Sequence, residues 1–213
     1  MTGIMSIETG LAQQLLQIKA IKLSPQRPFT WASGIQSPIY CDNRIALSFP
    51  EVRNYIIDAF VERSQAFPEA TAVAGVATAG IAHGALLADR LGLPFAYVRA
   101  KAKAHGRQNL IEGQLPAGAK VLVVEDLIST GGSSLQAVQA LRDSGVQVLA
   151  TLAIFTYGFE QAADAFAAAN CPLITLTSYE QLLEQALKDE YISTESLSLL
   201  KKWRGAPASW RPA

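Results

Sequence analysis

The chain has 213 residues, half of them hydrophobic and 17% charged, with 18 basic side chains balancing 18 acidic ones. That is the composition of a soluble globular protein with a sizeable core, which excludes a disordered chain, and the balanced charge speaks against a large nucleic-acid footprint. No apolar run reaches the roughly 18 residues of a membrane span, and no basic segment followed by an apolar one marks export, so a cytoplasmic protein away from membranes is expected.

Ile7, Leu11, Leu15 and Ile18 follow helical spacing and predict an amphipathic helix over residues 6 to 20. From Phe29 to Arg44, β-formers alternate with turn residues, which reads as a hairpin built around Ser33-Gly34. Such a hairpin either covers the core as an edge or closes over a flat aromatic ligand, with Arg44 as a partner for anionic groups. Ser48 and Glu51 have capping-box spacing and Pro50 fits a first helical turn, so a helix is expected over residues 50 to 64. Cys41 and Cys171 lack metal-ligand spacing and read as reduced, buried thiols.

Ala72 to Ala77 reads as a buried strand running into Thr78-Ala79-Gly80, a tight turn before the helix Ile81 to Leu91 and thus either a plain connection or an anion site. After a strand over Phe95 to Val98, the stretch Arg99 to Arg107 places four cations and His105 in nine residues with small residues between. Its pattern fits solvated surface charge as well as a mobile lid bringing cations to an anionic substrate.

Val121 to Val124 is an apolar run suited to a strand buried on both faces, and it ends in Glu125 and Asp126. Leu127 and Ile128 lead into Ser129-Thr130-Gly131-Gly132-Ser133, where glycines, hydroxyls and the start of a helix form an anion cradle. Carboxylates for two vicinal hydroxyls beside a phosphate cradle suit a sugar phosphate. The spacing matches neither the nucleoside-triphosphate nor the dinucleotide loop. A helix from Gly132 to Ser144, a strand from Val146 to Phe155, a helix around Phe159, Ala163 and Phe166, and a strand from Leu173 to Leu176 follow. Ser178 and Gln181 form a capping box for another helix, Leu197, Leu200 and Trp203 mark the last one, and the tail from Gly205 has no period. One domain is expected: residues 1–48 as helix and hood, 49–204 as an α/β core, 205–213 as a tail.

The run Val123 to Ser133 resembles the signature of type I phosphoribosyltransferases, which use phosphoribosyl pyrophosphate (PRPP). Phe29-Thr30, Ser33-Gly34, Ser37-Pro38, Tyr40, Asp42 and Arg44 resemble the hood of the orotate phosphoribosyltransferases within that family, and Arg99, Lys103, His105 and Gly106 resemble its catalytic loop. The resemblance implies an α/β fold, a parallel sheet flanked by helices with an N-terminal hood. It implies transfer of phosphoribose from PRPP to orotate, with Mg²⁺ held through substrate oxygens, in a homodimer where the Arg99 loop crosses the interface. Glu125, Asp126, Leu127, Ile128, Ser129, Thr130, Gly131, Gly132 and Ser133, with Arg99, Lys103 and His105, would bind PRPP. Arg99, Lys103, His105 and Asp126 would act in catalysis, and Ser129 and Arg44 would meet orotate. The pattern departs from some members at Ala32 and Thr156, which stand where those carry a lysine and an arginine. Another base such as a purine, or a non-catalytic PRPP-sensing regulator, is the alternative.

Overall fold

The computed structural model describes residues 6–30, 34, 36–100 and 110–211. Helix α1 (Ile7–Gln17) is capped by Ser6, whose hydroxyl accepts from the Thr9 N–H. It ends before the expected residue 20, because Lys19 takes a left-handed turn (φ 59°) that sends the chain into strand β1 (Ile21–Leu23). That strand carries no sequence signal, since three residues are too few to show a period.

The predicted hairpin divides in two. Strands β2 (Phe29–Thr30) and β3 (Gln36–Ser37) pair antiparallel across the turn containing Gly34, but β4 (Ile39–Cys41) leaves them and pairs with β1. A 3-10 turn over Asn43–Ser48 follows and carries Arg44. Helix α2 (Pro50–Ser64) has the expected bounds, with Pro50 in its first turn. Its cap differs: Ser48 belongs to the 3-10 turn and extended Phe49 is the N-cap, without a side-chain bond.

The core sheet comprises β5 (Ala72–Val76), β6 (Phe95–Val98), β7 (Ile111–Glu112), β8 (Lys120–Ile128), β9 (Gln147–Thr156) and β10 (Leu173–Ser178). Their spatial order is β10-β9-β8-β5-β6-β7, parallel throughout except for the short edge strand β7, which was not anticipated. Crossover helices α3 (Gly80–Leu91), α4 (Gly132–Asp143) and α5 (Glu160–Ala168) join the strands. Helices α6 (Tyr179–Lys188) and α7 (Thr194–Gly205) close the chain, and the Ser178 hydroxyl caps α6 by accepting from the Gln181 N–H.

Alternation along β8 feeds two cores. Leu122 and Val124 join Leu11, Phe60 and Trp203 on the face covered by α1, α2, α3, α6 and α7, whereas Val121 and Val123 pack with Val138, Leu141 and Phe166 of α4 and α5. Burial on both faces accounts for the unbroken apolar run in this central strand. The tail docks on its own chain: Trp210 is buried in the first core. Among the described residues, no helix is long and apolar enough to cross a membrane.

Candidate active site

The site forms along the carboxyl edge of the parallel sheet, where connecting turns leave backbone groups open to a ligand. Strand β8 continues three pairings beyond the apolar run, since Glu125, Leu127 and Ile128 match Ala153, Phe155 and Thr156 of β9. Glu125 and Asp126 therefore lie within the strand, and alternation sends them to opposite faces. Glu125, 7% exposed, accepts from the Asp126 N–H at 3.1 Å and from the Ser134 hydroxyl of α4 at 3.0 Å. Burial first, and then the neighbouring Asp126 charge, push its pKa from the usual 4.5 up to about 8. Burial therefore favours the neutral form of Glu125. Asp126 is half-buried on the hood side, and desolvation raises its pKa as well.

Beyond Ile128, the chain turns through Ser129 and Thr130 to Gly131, which caps α4 at φ 82°. A Cβ on Gly131 would stand 2.9 Å from the Phe166 ring, so both conformation and space call for glycine. The N–H groups of Gly132, Ser133 and Ser134 open the helix without intrahelical acceptors, as an anion cradle requires. Ser134 escaped the sequence reading. Its signal was a hydroxyl in the first turn of a helix that follows a buried carboxyl.

The turn after β5 contains a cis Ala77–Thr78 peptide and enters α3, whose N-cap Ala79 provides no side-chain bond. It lies directly on β8: a Cβ on Gly80 would stand 2.3 Å from the Val124 carbonyl oxygen. At the end of β6, the Arg99 N–H donates to the Leu110 carbonyl at 2.8 Å and its guanidinium pairs with Glu112 at 3.2 Å. Lys103 and His105, expected to act from this loop, lie outside the described residues, as do Trp31, Ala32 and Ser33 of the hood.

The hood reaches the site through Asn43, fully buried, whose amide donates to the Asp126 carbonyl at 2.8 Å. Arg44, placed at the mouth, is bridged by Asp42 through Nε at 2.7 Å and Nη2 at 2.8 Å, and these bonds hold Asp42 below the usual carboxylate range. The Cys41 thiol donates to the Asn43 side-chain oxygen at 3.5 Å, and desolvation with nearby Asp126 and Asp42 pushes its pKa up. Beneath them, buried His83 of α3 is kept neutral by desolvation, its pKa pushed down to about 4. The structure thus gathers Arg44, Glu125, Asp126 and the Ser129–Ser133 cradle at one edge, with Arg99 at the base of the adjoining loop.

Comparison with known proteins identifies the family. Residues 49–184 match the phosphoribosyl transferase domain. An orotate phosphoribosyltransferase of Listeria innocua is 54% identical over 207 residues, covering 97% of this chain and 99% of its own length. The structure of orotate phosphoribosyltransferase from Aeropyrum pernix superposes with a TM-score of 0.75 at 32% identity, over 86% of this chain and 99% of that one. That of the Mycobacterium tuberculosis enzyme in complex with PRPP does so with a TM-score of 0.64 at 26% identity, over 83% of this chain and 98% of that one. The domain match and identity above half along nearly the whole length place the chain in the orotate phosphoribosyltransferase family of type I phosphoribosyltransferases.

Proposed function

We infer that this chain transfers the phosphoribosyl group of PRPP to orotate, giving orotidine 5′-phosphate and pyrophosphate. The single observation that carries the reading is the end of β8, where Asp126 on the strand and the Ser129–Ser133 turn after it stand in sequence beside the Gly80 turn. A ribose 5-phosphate fits that order, its phosphate on the N–H groups of α4 and its hydroxyls toward the carboxylates. In the reaction, the bond from C1′ to the pyrophosphate oxygen breaks with its electron pair leaving on oxygen. A ring nitrogen of orotate supplies the pair for the new C1′–N bond. Positive charge grows on the ribose, and a carboxylate at Asp126 favours it. The Gly80 turn offers backbone donors to the leaving group. The roles of Arg99, Lys103 and His105 in stabilising that group rest on their resemblance to the catalytic loop.

Both oxygens of Glu125 are engaged within the protein, and the described residues contain no cluster of three potential metal ligands. Mg²⁺ retains water and takes few protein ligands. Bound mainly through PRPP oxygens, with Asp126 as the neighbouring carboxylate, it would neutralise charge on the pyrophosphate. A cytoplasmic homodimer sharing the Arg99 loop belongs to the same proposal, supported by the loop's resemblance alone. The test is orotate absorbance followed with PRPP, Mg²⁺ and purified protein, with uracil, hypoxanthine and adenine assayed alongside for pyrophosphate release. Consumption of orotate alone is expected. Turnover of a purine in its place, or PRPP binding without turnover, would overturn the reading.

A further inference from the structure

We propose that Arg204, at the end of α7, is the cation that pairs with the carboxylate of orotate and so selects it over neutral pyrimidines. The assignment rests on the activity inferred above and deepens it. In a displacement at C1′, the base enters on the face opposite the leaving group. The leaving group's turn follows β5, on one side of β8, so the base belongs on the other side, over the end of β9. A cavity of about 460 Å³ opens there, lined by Ser129, Thr130, Gly158, Phe159, Arg204 and Pro207. Its size lies within the about 300–1,000 Å³ common for small-molecule sites, and it adjoins the phosphate cradle.

Arg204 is held firmly in it. The preceding Trp203 is fully buried, with ring centroids 5.6 Å from Tyr157 and 6.0 Å from Phe159, and the Tyr179 hydroxyl donates to the Leu200 carbonyl at 3.0 Å. The guanidinium then rests on Gly158, its Nη1 3.5 Å from where a Cβ would stand. Charge singles it out. Arg44 and Arg99 already have carboxylate partners, whereas the guanidinium of half-buried Arg204 makes no hydrogen bond or ion pair with any described residue. Glu160, also at the cavity, is exposed and screened by water. A half-buried cation without a partner is costly, and a planar carboxylate matches its fork in two hydrogen bonds. A pyrimidine lacking the carboxylate would leave the cost in place.

The test compares Arg204→Gln, Arg204→Lys and Arg44→Gln with the unaltered protein, measuring orotate KM, PRPP KM, kcat and the inhibition constant of uracil. Arg204→Gln should raise orotate KM on the order of 10- to 100-fold. PRPP KM and the uracil constant should stay within about twofold, because neither ligand offers the carboxylate. Arg204→Lys should restore part of the loss. An unchanged orotate KM, equal weakening of orotate and uracil, or a loss confined to Arg44→Gln would overturn the assignment. Unaltered protein that leaves orotate untouched would instead sink the activity beneath it, a result visible before any variant is made.

Discussion

The β8 edge and the hood meet at Asp126, yet they are held in place by opposite means. On the edge, position comes from main chain in close packing: Gly80 lies on the Val124 carbonyl, Gly131 against the Phe166 ring, and β8 is paired with β5 as far as Val124 and with β9 to its end. In the hood, strands of two or three residues leave placement to single side chains, chiefly the Asn43 amide on Asp126 and the Asp42–Arg44 bridge. A surface made from main chain has few ways to shift, which suits the phosphate and ribose role proposed for it. One made from side chains can be altered residue by residue, which suits the base recognition proposed for the hood.

The largest effect should follow from touching the backbone contact. Gly80→Ala places a methyl 2.3 Å from the Val124 oxygen and 3.3 Å from the Glu125 Cα, and neither neighbour is a flexible side-chain end that could swing aside. Overpacking of this kind costs about 1–3 kcal/mol and occasionally more. Urea unfolding should show it, together with a fall in kcat, since the turn and the Glu125–Asp126 pair are pushed apart. Unaltered stability in Gly80→Ala would mean the edge is softer than the hood, which reverses the comparison.

Next comes the proton buried in the edge. Folding raises the Glu125 pKa from the usual 4.5 to about 8, so the folded protein keeps a proton that the unfolded chain releases. Where the native state binds more protons, stability falls as pH rises. For this group the fall begins near 4.5, ends near 8, and is absent on either side. Glu125→Gln keeps a neutral acceptor for Ser134 and removes the slope. Urea midpoints of the ligand-free variant and the unaltered protein should coincide below pH 4.5 and separate toward pH 8, with the variant the more stable. Parallel curves across that range would show that Glu125 is ionised throughout.

On the hood side, Asn43→Ala withdraws a fully buried donor from the Asp126 carbonyl. An acceptor left unpaired in a buried site costs about 1–3 kcal/mol. Stability should fall by that amount, and orotate KM should rise more than PRPP KM, because Asn43 ties the hood to the site while the phosphate cradle is left alone. A change confined to PRPP would assign Asn43 to the edge.

How much of this was legible in the sequence follows the same division. The apolar run of β8, the glycine turn before α4 and the helical periods are local features and appear close to where their residues predicted them, although β8 runs on to Ile128 past the carboxylates expected to end it and α1 stops at Gln17. Asn43 and Asp126 are 83 positions apart, and Arg204 meets Gly158 only because α7 folds back over the end of β9. No periodicity carries such contacts. Strands as short as β1 and β7 are fixed by the neighbours they pair with, so the turn residues around them suggested one hairpin where the chain makes two pairings.

The smallest effect separates charge from burial within the hood. The Asp42–Arg44 bridge has good geometry, with Nε at 2.7 Å, but the Arg44 side chain is 60% exposed. Water and salt screen such a pair, and exposed pairs contribute about 0–1 kcal/mol. Its hydrogen bonds lower the Asp42 pKa, so whatever stability it gives is present above the usual 3.8 and is lost as pH falls through the depressed value. Arg44→Gln should therefore cost less than Asn43→Ala at neutral pH, and raised salt should shrink the difference from the unaltered protein. If Arg44→Gln proved the costlier of the two, the hood would be held by its surface bridge, and the buried amide on Asp126 would lose the anchoring role that its complete burial assigns to it.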